Sequence, residues 1–397
     1  MVRTFMLPAG MLLAGLAASS IAVTAQTSSQ ATSSTAPVAY VYVGKALHLA
    51  AYAVASNGKL TQLPGSPFPN IYLQHESVNK KYLFGEDDDG NDIDTYSVAS
   101  NGSVKKVTSI DASKYAPSGS TCETAGTSQL DYTGSTLYNF SYYNCNGDDT
   151  YIQSFKIESD GALQYLGRTP GVSSNMLVLS QLRFASSNKF AYQAGCKNQN
   201  AGQVAQLAPE PEIIGYKRES NGNLVLANTH FNLPEPQDSD DVFCPYAVLA
   251  GDSSNHLALA LQASNKTNGQ IDGPIVLASF TVDAEGNLST KNTVLQMPAI
   301  DFLSVHTMSI DPTGKFLAVG SSEGLQVFRF NGSGPVTLYS ESIGGNMFQF
   351  GWDKNQHLFA LTDQNLHVYT VTTDGMKEAP GSPYSIGAFS LIVKSTH

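Results

Sequence analysis

Short apolar–polar alternations recur along the chain, and each runs into the same kind of turn. The stretches read LAAYAV (49–54), IDTYSV (93–98), IQSFKI (152–157), EIIGYKR (212–218), VLASFTV (276–282), LQVFRF (325–330) and LHVYTV (366–371). The turns that follow read SNGKL (56–60), SNGSV (100–104), SDGAL (159–163), SNGNL (220–224), AEGNL (284–288), NGSGPV (331–336) and TDGM (373–376). A period of two predicts β-strands, because successive side chains point to opposite faces. Asn-Gly or Asp-Gly at the end of such a stretch predicts a tight hairpin, because Gly accepts the positive φ of the turn. The chain therefore reads as seven strand–turn–strand units and as all-β.

A second turn precedes each alternating stretch, but only six times. It appears in VNKKYLF (78–84), YTGSTLYNF (132–140), SSNKFAY (186–192), SSNHLAL (253–259), DPTGKFLAV (311–319) and DKNQHLF (353–359). The mismatch of seven against six locates the chain ends. If a unit has four strands, VAYVYVG (38–44) is a second strand with no first, and GAFSLIV (387–393) is a first strand with no second. Pairing the two ends completes a seventh sheet. This predicts a seven-bladed β-propeller of four-stranded antiparallel blades, closed by its N- and C-terminal strands. A pair of β-sandwiches explains the short strands but not the mismatch. Two further copies of one motif, PGSPF (64–68) and PGSPY (380–384), flank the closing blade. Proline has no N–H for a ladder, so each copy should end an outer strand and send the chain inward, with its aromatic ring wedged between blades.

Composition adds the compartment. The first residues carry Arg3, then an apolar run MLLAGLAASSIAV (11–23) and small residues before Gln26, which is the pattern of a secretory signal peptide ending at Ala25. Residues 26–37 are too polar to fold and read as a Ser/Thr-rich linker, leaving 38–397 as the propeller. The expected location is secreted or periplasmic, with no membrane contact once the signal is removed. The formal net charge of −11 disfavours nucleic acid. The same charge and a single closed ring suggest a monomer. Four cysteines remain, Cys122, Cys145, Cys196 and Cys244. In an exported chain an even count favours disulfides.

The stretches IDPTGKFLAVGSSEGLQVFRF (310–330) and NGKLTQLPGSPF (57–68) carry a resemblance. They are similar to the lactonase-type seven-bladed propellers, the family that includes bacterial 6-phosphogluconolactonase. The likeness spans about 38–393. It implies the propeller fold, and lactone hydrolysis as the family activity.

Propeller topology divides the loops between two faces. Loops entering the first strands and loops joining second to third strands share one face, here termed the upper face. It should carry the long insertions, including GEDDDGNDID (85–94), SYYNCNGDDT (141–150) and AGCKNQNAGQVAQLAPEPE (194–212). Elaborated loops on a rigid scaffold mark a working face. All four cysteines map to it, and the expected pairs are Cys122–Cys145 within one blade and Cys196–Cys244 across neighbouring blades. A lactonase needs a group that activates water and a donor for the developing oxyanion. His306, early on a first strand, is the catalytic candidate, against the alternative of a satisfied core histidine. His75, Glu76 and Arg183 come late on their strands and should face the other side, Arg183 bonding a carbonyl. The four arginines beyond the signal share no local motif, which argues against a phosphorylated substrate. Asp87, Asp89 and Asn91 alternate as calcium ligands do, but Asp92 stands where Gly is wanted and no Glu closes the loop, so an acidic hairpin tip competes with a calcium site. No other cofactor is expected. Two functions follow: a lactonase-like hydrolase taking a sugar lactone or related ester at the central mouth, or a non-catalytic propeller binding a carbohydrate or an extracellular protein through its loop face.

Overall fold

A computed structural model describes residues 36–396, apart from 46–47, 73, 88–89, 119–127, 142–149, 172–180, 186 and 198–207. Side chains at 74–76, 141, 197, 247 and 348 are likewise outside the described set. The expected signal peptide and linker up to residue 35 also lie outside it.

Seven antiparallel sheets each contain a core of four strands, and the fold is a β-propeller. The closing blade runs from its innermost strand Ser390–Ser395 through Ala39–Lys45 and His48–Val54 to Leu60–Gln62 at the rim. Blades two to seven follow in chain order over 74–111, 128–170, 183–226, 241–289, 307–338 and 347–378. Ring closure is antiparallel and in register from Ala39 opposite Ser395 to Gly44 opposite Ser390. Thr396 adds to it: its amide donates to the Val38 carbonyl at 3.0 Å, and its hydroxyl donates to the carbonyls of Pro37 and Val38.

Each seam between neighbouring blades holds one apolar cluster, seven in all. A blade is thus buried on both faces, and its strands use both sides. In His256–Asn265, Leu257, Leu259 and Leu261 pack toward blade four, while Ala258 and Ala260 pack toward blade six. Large residues on one side and small on the other let wedge-shaped blades fit round a ring.

The recurring turns are also the ring's fasteners. The hydroxyl of Tyr42 donates to the Gly102 carbonyl of the next blade at 2.8 Å, Tyr138 to Gly222 at 2.7 Å, and Tyr192 to Gly286 at 2.8 Å. Burial lifts all three phenols well above their ordinary pKa, so they remain donors. Gly102 shows why the hairpins need glycine twice over. Its φ is +83°, and a Cβ there would sit 2.5 Å from the Tyr40 ring and 2.7 Å from Leu63. Gly102→Ala is expected to destabilise by about 3 kcal/mol, combining left-handed strain with overpacking. Denaturant melts would check this, and a loss below about 0.5 kcal/mol would mean that the seam does not depend on that contact.

The Pro-Gly-Ser-Pro motifs act through serine. Ser66 Oγ accepts from the Ala51 amide at 2.8 Å, and Ser382 Oγ from the Val368 amide at 2.9 Å. Each satisfies a third-strand donor just beyond the end of the fourth strand. The chain then turns inward: Phe68–Pro69 pairs with the start of His48–Val54, and Tyr384–Ser385 with the start of Asn365–Thr372. The aromatic residues sit at the seams flanking the closing blade, as the motif implied. Tyr384 packs between blade seven and the closing blade, and its hydroxyl accepts from the Leu60 amide at 2.8 Å. Phe68 packs on the opposite seam, toward blade two.

Candidate functional site

Seven innermost strands surround the central channel, so residues at their ends form its two mouths. The upper mouth contains the catalytic candidate. His306 lies one residue before the inner strand Thr307–Ile310 of blade six. Its amide donates to the carbonyl of Gly320 at 2.8 Å, the last residue of the second strand, which fixes it at upper-face height. The imidazole is exposed, and among the described residues its ring meets the Ser304 hydroxyl, 3.4 Å from Nε2. The core-histidine alternative is therefore not what the structure shows. No described carboxylate orients the ring.

The other expected upper-face groups are distributed as follows. A disulfide joins Cys196, near the end of the second strand of blade four, to Cys244 on the inner strand of blade five, tying two blades at the upper face. Cys122 and Cys145 lie outside the described residues, as does Asp89. Asp87 accepts from the Asp92 amide at 3.3 Å and closes the hairpin tip. Burial, then the neighbouring charges of Asp92 and Asp94, raises its carboxyl pKa. Asn91 contributes its carbonyl to the Ala112 amide. Among the described residues no group of three His, Cys, Asp or Glu side chains converges on one point.

Asp241 is a second acidic position on this face. It is 5 % exposed at the start of the inner strand of blade five. Burial first, then Asp272, Asp238 and Asp240, raises its carboxyl pKa. A raised acid favours its protonated form in the fold, so its contribution is greatest below the ordinary carboxylate pKa and is lost as pH rises through the folded value. Asp241→Asn should therefore raise the melting temperature at pH 7, with the gain shrinking toward about pH 3. Equal gains at both pH values would exclude this origin.

Arg183 behaves partly as expected. It begins the inner strand of blade four and donates to the Leu182 carbonyl at 2.9 Å. It also reaches the Gln129 side chain of blade three at 3.0 Å and that of Gln181. Burial lowers its guanidinium pKa to about 10, which still leaves it charged at neutral pH. The remaining arginines serve as links between blades: Arg168 to the Tyr115 carbonyl, Arg218 to Asp131, and Arg329 to the Thr373 carbonyl. His75 and Glu76 sit on the inner strand Gln74–Val78 of blade two, and their side chains are not described.

At the lower mouth is a feature that the sequence reading did not single out. A cavity of about 500 Å³ is lined by the first-to-second turns of blades two, three and seven and by the end of the terminal strand. Lys80, Lys354 and Lys394 all border it. Its sequence signal is present but faint: a lysine in VNKK, another in DKNQ, and one in the terminal SLIVKS, all at the lower ends of first strands.

No family model matches this chain, and neither does any curated protein. Solved structures do. A functionally unknown protein from Desulfotomaculum acetoxidans matches at 12 % identity with a TM-score of 0.55, over 90 % of this chain and 99 % of its own. A candidate 6-phosphogluconolactonase from Bacteroides fragilis matches at 14 % identity and TM-score 0.52, over 89 % and 97 %. Another, from Bacteroides uniformis, matches at 12 % and 0.53, over 89 % and 99 %. At such identities the likeness is one of fold. The chain is a seven-bladed β-propeller. Its architecture is the one shared with these candidate lactonases.

Proposed function

We propose that the chain is an exported lactonase-like hydrolase that opens a neutral sugar lactone or related ester at the upper mouth of its channel. The observation that carries the reading is the position of His306: an exposed imidazole at the rim of the channel, within reach of water and of a ligand. Imidazole is the side-chain base suited to taking a proton from water as the lactone carbonyl is attacked. A neutral substrate suits a mouth without an arginine pair, and the fold likeness to candidate lactonases supports the class. Export is supported by the disulfide and the leader pattern, and no described helix is long and apolar enough to cross a membrane.

Purified protein should hydrolyse glucono-δ-lactone above the spontaneous rate. His306→Ala should lower kcat/KM by about 10²-fold without changing the melting temperature. Activity that survives the substitution would remove His306 as the base. The second reading, a non-catalytic propeller capturing carbohydrate or protein through the loop face, is favoured by the absence of a described carboxylate partner for His306. It predicts saturable binding without turnover, with and without chelator.

A further inference from the structure

We propose that the lower mouth of the channel is an anion-binding site, formed by Lys394, Lys80 and Lys354, for a small ligand bearing carboxylate or phosphate oxygens. The site is independent of His306 and lies at the opposite end of the channel.

Three observations point to it. The first is charge in the wrong place. The chain carries a formal charge of −11, yet three lysines border one cavity. Three lysines elsewhere on the chain have carboxylate partners: Lys106 with Asp94, Lys114 with Asp111, Lys156 with Glu158. Among the described residues, none pairs with Lys80, Lys354 or Lys394. An anion entering a cavity bordered by lysines gains attraction that no neighbouring carboxylate has already used.

The second is Lys394 itself. It is half-buried on the innermost strand, opposite Tyr40 in the ladder. Its neighbours Leu391 and Val393 turn toward blade seven, and Ile392 toward blade two. By strand alternation, Lys394 points toward blade two, the side on which Lys80 stands. Lys354 is brought in from blade seven by a bond from its amide to Ser395 Oγ at 3.1 Å. Burial lowers the Lys394 pKa, the response of an ammonium that lacks a partner.

The third is that the one acid among the described residues of the wall is already engaged. Asp131 borders the cavity, but its side chain is fully buried. Its oxygens accept from the amides of Ser135 and Thr136, from Thr133 Oγ1 and Asn188 Nδ2, and from Arg218 at 3.0 Å. Its charge is answered from within the fold by these donors and by Arg218. The exposed ring of Tyr132 supplies one apolar wall. The volume suits a ligand the size of a sugar acid or a tricarboxylate.

Titration calorimetry at low ionic strength, with citrate and with inorganic phosphate as probes and glucose as the neutral control, tests the site on the full exported chain. Saturable binding of citrate or phosphate, at about 0.1–1 mM, is expected, with none of glucose. Affinity should fall as salt is added. Lys394→Gln should weaken it about tenfold, Lys80→Gln and Lys354→Gln each about threefold, and Lys59→Gln on an outer hairpin not at all. Lys80 is an exposed turn residue, so its variant folds even if Lys394→Gln does not. Lactone hydrolysis should be unchanged in all of them. No saturable heat from either probe up to about 10 mM, or equal affinities for Lys80→Gln, Lys354→Gln and the native chain, would overturn the proposal.

Discussion

Removing residues 387–397 should leave a chain without a stable native ring. The deletion takes the whole inner strand of the closing blade, its six-residue register with Ala39–Gly44, and the Thr396 anchors on Pro37 and Val38. It also uncovers both seams that meet there, because Leu391 belongs to the cluster shared with blade seven and Ile392 to the cluster shared with blade two. Each large buried side chain contributes about 1.5–3 kcal/mol, and several are lost or exposed together. The sum approaches the roughly 5–15 kcal/mol that stabilises a typical domain. Circular dichroism melts should show no cooperative transition, or one lowered by more than about 10 °C. A truncated chain melting within a few degrees of the full one would show that the ring is not closed by this strand.

Asp131→Ala should be the most damaging of the point substitutions considered. The carboxylate is the hub of the first-to-second turn of blade three and of its junction with blade four. Deleting it strands the Ser135 and Thr136 amides and the Asn188 amide group, and leaves the part-buried Arg218 guanidinium without its counter-charge. Breaking such a pair from one side costs about 3–5 kcal/mol, because the remaining charge stays buried. Denaturant unfolding would measure it. The double variant Asp131→Ala, Arg218→Met should recover part of the loss, since the stranded charge is then removed as well. A double variant less stable than the sum of the two single losses would contradict this account.

The same carboxylate turn shows how much the sequence disclosed. Its recurrence was legible as an upstream turn, and the structure gives the chemistry. Asp131, Asp252, Asp311 and Asp353 each accept from the amide four residues on, at Ser135, His256, Lys315 and His357. In blade two Asn79 substitutes, accepting from Lys81 and Tyr82. The Asn-Gly hairpins were legible for the same reason, since a turn's requirements are met within five residues of sequence. What such a motif does not carry is its partner. Nothing in SNGSV (100–104) announces that Tyr40 and Tyr42, sixty residues earlier, close over Gly102.

Sequence alone determined the number of blades, the shared closing sheet and the roles of the turns, because period-two burial and positive-φ glycine are local rules that each repeat states afresh. Only the tertiary structure decided which lysines border the cavity at the other end of the channel. Lys80, Lys354 and Lys394 belong to three different blades and border one cavity only when the ring closes; which residues line it depends on radial position in the closed ring, which no local pattern records.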